Sequence, residues 1–262
     1  MNHSPIGIFD SGVGGTSIWK EIHKLLPREH TIYLADSYNA PYGEKTRDQI
    51  LRLSIKNTEF LLDKGCKLIV VACNTATTNA IDHLRANYKV PFIGIEPAIK
   101  PAALQSSSKT VGVLATKGTL SSDLFHSTAE NHASGIEIIE REGTGLVHLI
   151  EMGKTHAQET KELLHRFIDP MLEKEIDYLV LGCTHYPYLL PVLKEILPKH
   201  VKIIDSGEAV ARQTSNVLKQ YGLLNVSDNE STHQFYTNLD KELLNYFLRD
   251  VNASYETFYL RF

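Results

Sequence analysis

Leu68-Ile69-Val70-Val71-Ala72-Cys73-Asn74-Thr75 sets four large apolar residues ahead of a small residue, a thiol and two polar residues. A strand covered by helices on both faces reads as a continuous apolar run, whereas a half-exposed strand alternates. The stretch therefore predicts a buried strand whose end delivers Cys73 to the start of a helix. The same figure returns at Tyr178-Leu179-Val180-Leu181-Gly182-Cys183-Thr184-His185. On either side, short apolar runs at 6–9, 31–34, 91–94, 110–114, 136–139 and 201–204 predict further strands. Helical patterns occupy 47–64, 75–87, 155–173 and 208–221. Strands alternating with longer helices predict an α/β fold, doubly wound with mainly parallel sheets.

A second pair of segments joins the first. Ile6-Gly7-Ile8-Phe9-Asp10-Ser11-Gly12 is echoed by Val111-Gly112-Val113-Leu114-Ala115-Thr116-Lys117-Gly118. Gly7 precedes Cys73 by 66 residues, and Gly112 precedes Cys183 by 71. One such echo is what chance gives among apolar strands, but two at similar spacing predict two similar domains, each with one cysteine at the same structural place. Pro97 and Pro101 flank the boundary. The expected division is 1–97 plus 208–262 for a first domain carrying Cys73, and 98–207 for a second carrying Cys183. The polar stretch 225–232 is expected to be a loop, followed by a strand and a helix.

The 262 residues suffice for one large domain or two ordinary ones with a sizeable core. Apolar residues at 42% and charged residues at 22% exclude disordered and fibrous classes. The net charge of -4, from 27 basic and 31 acidic residues, comes with no Lys/Arg block, so neither nucleic acid nor a membrane surface is an expected partner. No apolar run approaches the ~20 residues that span a bilayer. A strand beginning by residue 6 leaves no room for a signal peptide. Three cysteines, a low and odd count, argue against a disulfide framework and for a reducing compartment, so a cytoplasmic location is expected.

Ligands of open α/β sheets bind beyond the carboxyl ends of the strands. A thiol there meets a helix N-terminus, whose N–H groups and dipole favour a thiolate and also cradle an anion. Cys73 and Cys183 thus each offer a base beside a carboxylate or phosphate site. The ordinary alternative, a small buried hydrophobe, is the reading taken for Cys66. Cys183-x-His185 is a conceivable metal pair, but no Cys-x-x-Cys or second cluster completes a tetrahedral site, and no metal is expected. A redox disulfide between Cys73 and Cys183 is a further alternative. The loop Asp10-Ser11-Gly12-Val13-Gly14-Gly15-Thr16-Ser17 lacks the Lys of a phosphate-binding loop and the third glycine of a dinucleotide fingerprint. Its glycines instead let backbone N–H groups come close to a ligand, with Asp10 and Ser11 at the strand tip. Asp10 could equally cap the following helix. Tyr42, in Pro41-Tyr42-Gly43, covers or hydrogen-bonds a ligand, or is a plain loop tyrosine.

Four segments, Asp10-Ser11-Gly12-Val13-Gly14-Gly15, Pro41-Tyr42-Gly43, Cys73-Asn74-Thr75-Ala76 and Gly182-Cys183-Thr184-His185-Tyr186-Pro187, resemble in order and spacing the signature segments of the glutamate racemases, within the aspartate/glutamate racemase family. Gly94-Ile95-Glu96-Pro97 is a further match, and the resemblance covers essentially the whole chain. Thr16, where the family usually has an apolar residue, is a minor departure that leaves the chemistry undisturbed. The resemblance implies an isomerase that racemises glutamate without a cofactor, supplying D-glutamate for peptidoglycan and cell-wall synthesis. It implies a homodimer, with the active site between two similar α/β domains. It makes Cys73 and Cys183 the two acid/base residues, with Asp10, His185 and Glu151 as the polar groups beside them. Asp10, Ser11, Tyr42, Gly43, Asn74, Thr75, Thr184 and His185 would contact substrate. Glu151 rests on the short segment Leu146-Val147-His148-Leu149-Ile150-Glu151, for which an exposed helix glutamate is the competing reading. Two bases flanking one carbon are what racemisation requires, and a thiol near pKa 8.5 needs little adjustment to serve at neutral pH. No Schiff-base lysine motif suggests a pyridoxal-type electron sink, so hydrogen bonds to the substrate carboxylate must carry the load. A related racemase acting on aspartate or another amino acid, a cysteine hydrolase with one nucleophile and a two-domain small-molecule binding protein are the competing functions.

Overall fold

A computed structural model describes residues 3–227 and 230–262. The apolar runs become strands β1 (Ile6–Asp10), β2 (Thr31–Ala35), β3 (Leu68–Val71), β4 (Phe92–Gly94), β5 (Thr110–Ala115), β6 (Glu137–Glu142), β7 (Tyr178–Gly182) and β8 (Lys202–Ile204), followed by β9 (His233–Thr237) and β10 (Tyr255–Tyr259). The helices are α1 (Thr16–Leu25), α2 (Arg47–Asp63), α3 (Asn74–Asn87), α4 (Ile99–Gln105), α5 (Lys117–Leu120), α6 (Asp123–His132), α7 (Leu146–Glu151), α8 (Gln158–Leu172), α9 (Leu190–Ile196), α10 (Gly207–Gln220) and α11 (Lys241–Leu248). Local chemistry sets several boundaries. Thr46 and Gln49 form a reciprocal capping box at the start of α2. Cys73 is itself the N-cap of α3, its sulfur accepting the Ala76 N–H at 3.5 Å.

Two sheets result, ordered β10-β9-β2-β1-β3-β4 and β6-β5-β7-β8, with all pairings parallel. The blocks β2-β1-β3-β4 and β6-β5-β7-β8 share one arrangement. The echoing sequence pairs therefore occupy equivalent strands, β1 with β5 and β3 with β7, and each cysteine follows the third strand of its block. After β8 the chain returns to the first sheet, adding β9 and β10 beside β2, while α10 packs on α1. Alternate strand residues face opposite layers, as the pleat requires. Ile8, Leu68 and Val70 of the first sheet share one apolar cluster with Leu179 and Leu181 of the second and with Trp19, Ile22 and Leu164. Ile69 and Val71 face the other way, onto Leu61, Ala76 and Ala80. Val111, Val113 and Val180 face Ile99 and Phe125. At roughly 1.5–3 kcal/mol per large side chain buried, the shared cluster holds the two domains together.

Where structure and sequence differ, tertiary context is the cause. The strand expected at 136–139 runs to Glu142, because β6 is an edge strand whose charged, exposed Glu137, Glu140 and Glu142 break the apolar run and discourage edge pairing. No α-helix opens directly after Cys183. Pro187 and Pro191 lack the N–H groups an early helix needs, and a 3-10 turn (Tyr186–Leu189) precedes the short α9. The helix expected from 155 begins at Gln158, after an extended Ala157. The stretch 225–232 is irregular where described, with 228 and 229 outside the described residues. No described helix is long and apolar enough to cross a membrane. Cys66 is buried under Gly7 of β1, and burial pushes its thiol up to about 12, which suits a packing role.

The outer part of the first sheet carries a pH-sensitive cluster. His233 of β9 bonds Thr31 Oγ1 at 2.8 Å and meets His23 edge-on at 4.7 Å, and His23 stacks on Trp19 at 5.1 Å. Burial first, then the neighbouring His23 and His30, lower the His233 pKa to about 4. The native state thus refuses a proton that the unfolded chain accepts near 6.5, so stability is lost as pH falls from 6.5 toward 4, by about 2–3 kcal/mol from this group. Melting temperatures measured between pH 7.5 and 4.5 should drop steeply for the wild type and less steeply for His233→Gln. Parallel slopes for the two proteins would remove His233 from the explanation.

Candidate active site

Both thiols lie at the carboxyl ends of equivalent strands and both line one narrow, partly enclosed cavity of about 10 Å³. Ser11, Tyr42, Gly43, Asn74, Thr75, Thr184 and His185 share that lining, as do Pro41, Thr116 and Val147. All three cysteines are free. The helix N-terminus does not lower the Cys73 pKa, contrary to expectation. Burial pushes the thiol well above its usual range, Asp10 and Cys183 add to this, and the bonds from Ala76 N–H and Ser11 only partly oppose it. Desolvating a thiolate outweighs one 3.5 Å contact with an N–H group. Cys73 therefore rests as a thiol.

The glycine loop serves a purpose other than the one its sequence suggests. Asp10 Oδ2 accepts the N–H groups of Gly12 (3.3 Å) and Gly15 (2.8 Å), and Thr184 donates to Oδ1 at 3.3 Å. Gly15 is the N-cap of α1 and no side chain caps that helix, so Asp10 ties the loop itself. Burial raises the Asp10 pKa, with the nearby His185 charge and the Gly15 N–H opposing. A Cβ at Gly12 would lie 2.0 Å from Glu151 Oε1, and one at Gly14 2.2 Å from His185 Nδ1. The glycines thus admit side chains of the second domain, as well as leaving backbone N–H groups free to point at them.

Those two side chains are coupled. Glu151, at the end of α7, accepts the Val13 N–H at 2.7 Å, and the same oxygen lies 2.6 Å from His185 Nε2. Gly14 N–H approaches Nε2 at 3.3 Å, a contact too long to compete with the carboxylate. Nε2 therefore donates to Glu151, and Nδ1 faces Cys183 Sγ at 3.8 Å. Burial disfavours the imidazolium, but hydrogen bonds to Cys183 and Glu151 and the charges of Glu151 and Asp10 prevail and hold the His185 pKa well above the histidine range. Glu151 is tucked against the first domain, with its side chain 9% exposed, so an exposed helix glutamate does not describe it.

Other expected residues fall into distinct surroundings. The Tyr42 hydroxyl donates to Asp36 Oδ2 at 2.5 Å and accepts from Asn57, which leaves its ring and backbone, not its O–H, for the cavity. Asn74 Nδ2 is buried without a partner, a donor awaiting an acceptor in the cavity. Thr75 bonds Thr116 at 2.8 Å across the domains. Thr116 escaped the sequence reading, although it echoes Ser11 in the repeat (Leu114-Ala115-Thr116 against Phe9-Asp10-Ser11). That symmetry was the available signal.

Two parallel α/β domains that each bring a thiol to one buried cavity, with a paired imidazolium beside one of them, form the frame of a proton-transfer enzyme. The chain matches the Asp/Glu/Hydantoin racemase model over residues 6–214. It is 47% identical over 235 residues to a glutamate racemase of Ectopseudomonas mendocina, covering 88% of this chain and 89% of that one. A solved Escherichia coli glutamate racemase in complex with L-glutamate and the activator UDP-MurNAc-ala superposes with a TM-score of 0.85 at 35% identity, over 98% of this chain and 97% of the other. A Francisella tularensis glutamate racemase in complex with D-glutamate gives 0.83 at 29% identity, over 98% of each. The chain belongs to the Asp/Glu/Hydantoin racemase family.

Proposed function

We propose that this chain is a glutamate racemase that interconverts L- and D-glutamate without a cofactor and supplies D-glutamate for peptidoglycan, working in the cytoplasm as a homodimer. The observation that carries the reading is the matched pair of buried thiols, one from each domain, on a single cavity. The complexes of its relatives with either enantiomer of glutamate support the substrate. In the proposed mechanism a thiolate on one face takes the α-proton, the electron pair moves into the carboxylate as it gains enolate character, and the thiol on the other face returns a proton to carbon. Each turnover exchanges the states of the two sulfurs. The surroundings of the two sulfurs differ, because burial holds Cys73 as a thiol while His185 Nδ1 lies 3.8 Å from Cys183 Sγ, where negative charge must form in turnover. The unpartnered Asn74 amide and the backbone N–H groups around Asn74–Thr75 and Thr184–His185 are suited to the carboxylates, in a buried site where such bonds are strong. The division into 1–97 plus 208–262 and 98–207 belongs to the same reading.

Purified protein incubated with L-glutamate in D2O, without pyridoxal phosphate, should lose all optical rotation while the glutamate acquires α-deuterium. L-Aspartate under the same conditions should react far more slowly. Retained rotation with glutamate would overturn the reading.

A further inference from the structure

Thr16 opens α1 directly behind the glycine loop. Its Oγ1 donates to the Val13 carbonyl at 2.6 Å, which uses its single proton. At 2.5 Å from the Tyr188 hydroxyl it must therefore accept, so Tyr188 donates across the domain boundary. Tyr188 stands in the 3-10 turn that follows His185, and its backbone N–H donates to the His185 carbonyl at 3.1 Å. Its ring is held from the first domain by Phe247, edge-on at 4.4 Å, and by Lys20 at 5.3 Å from the centroid. The bonds close a circuit. Tyr188 donates to Thr16 and Thr16 to Val13, while the Val13 N–H reaches Glu151, Glu151 holds His185, and His185 leads back to Tyr188 through the turn. Ser17 Oγ, donating to the Thr184 carbonyl at 2.9 Å, ties the same two segments beside it.

We propose that the Thr16–Tyr188 hydroxyl pair is a positioning latch that fixes the Cys183–His185 segment against the Asp10–Gly15 loop and so sets the imidazole–thiol contact. The position expected to be a harmless departure thus carries a cross-domain bond that an apolar residue cannot make. Neither residue touches the reacting atoms, since the cavity lining contains neither. The proposal rests on the reading of Cys183 as one of the two bases, and it is tested both with and without the glutamate reaction.

Thr16→Val, Tyr188→Phe, the double variant and Thr16→Ser are compared with wild type in two assays. The first is the iodoacetamide alkylation rate of Cys183, followed by peptide mass spectrometry with Cys66 as internal reference. The rate should change at least about threefold in Thr16→Val and in Tyr188→Phe, by the same factor in the double variant, and stay at the wild-type value in Thr16→Ser. The second is steady-state racemisation, where kcat should fall about tenfold with KM little changed, the loss expected of one hydrogen bond. Wild-type alkylation and kcat in Thr16→Val and Tyr188→Phe, or losses that multiply in the double variant, would overturn the latch. A variant whose melting temperature falls while both readouts stay at wild type has shown a purely structural role and overturns it as well. If wild type leaves glutamate unchanged, the functional reading fails, and the alkylation comparison still decides the latch.

Discussion

Cys73→Ser and Cys183→Ser should each reduce racemisation of glutamate by about three to four orders of magnitude, because each removes one of two indispensable acid/base groups. A serine hydroxyl has nearly the size of a thiol but is far too weak an acid to alternate with a thiolate at neutral pH. Loss of activity through misfolding is not expected. Cys73 occupies the N-cap of α3, a position where serine is among the preferred residues, so Cys73→Ser should hold or slightly raise the melting temperature. A thiol at a cap that serine would fill better is hard to explain by stability. The variants should also separate the two half-reactions. With one base left, α-deuterium exchange in D2O can proceed without inversion, in the enantiomer whose proton faces the surviving sulfur. Cys73→Ser and Cys183→Ser should therefore spare exchange in opposite enantiomers. A cysteine hydrolase would behave differently, since one substitution would be silent and the other complete. Normal racemisation by Cys183→Ser would end the two-base reading.

The strands that place these thiols were legible because burial on both faces leaves a continuous apolar signature, as in Leu68-Ile69-Val70-Val71 and Tyr178-Leu179-Val180-Leu181. Two of the four edge strands blur that mark. β6 mixes charges into its run, and β10, against the β9 edge, alternates weakly in burial and was not anticipated. Within the site, residues at a strand end can be found from one strand alone, which is why Cys73 and Cys183 are accessible to sequence reasoning, whereas Asn74 and His185 enter through the family resemblance. Contacts between domains could not. Gly12 and Gly14 have the look of a ligand loop, yet their missing side chains make room for Glu151 and His185. The Tyr42 hydroxyl faces Asp36, six residues earlier, through a loop conformation that no periodicity encodes. Cys73 has the local geometry of a helix N-terminus, yet burial reverses the expected effect on its thiol, because the depth of burial is a property of the assembled fold.

Glu151→Gln should lower kcat/KM by about one to two orders of magnitude and move its alkaline limb toward neutral pH, with KM little affected. The amide keeps the shape and can still accept from Val13 N–H, but it removes the charge that sustains the His185 imidazolium. In the wild type, burial opposes that charge and is overcome by bonds to Cys183 and Glu151. Without the carboxylate, burial prevails, His185 sheds its proton at lower pH, and the cation beside Cys183 is missing at the moment negative charge must form on sulfur. The displacement of the limb, not its absolute position, is the informative quantity. Glu151→Asp, which retains the charge on a shorter arm, should lose rate while keeping the alkaline limb near the wild-type position. Stability gives an independent reading of the same pair. A folded-state histidine pKa raised above 6.5 contributes stability that is complete below 6.5 and is lost as pH rises through the folded value. The melting temperature of Glu151→Gln should thus fall furthest below wild type near pH 6 and approach it in alkaline solution. A stability gap that stays constant with pH, together with an unshifted rate profile, would reduce Glu151 to a packing contact.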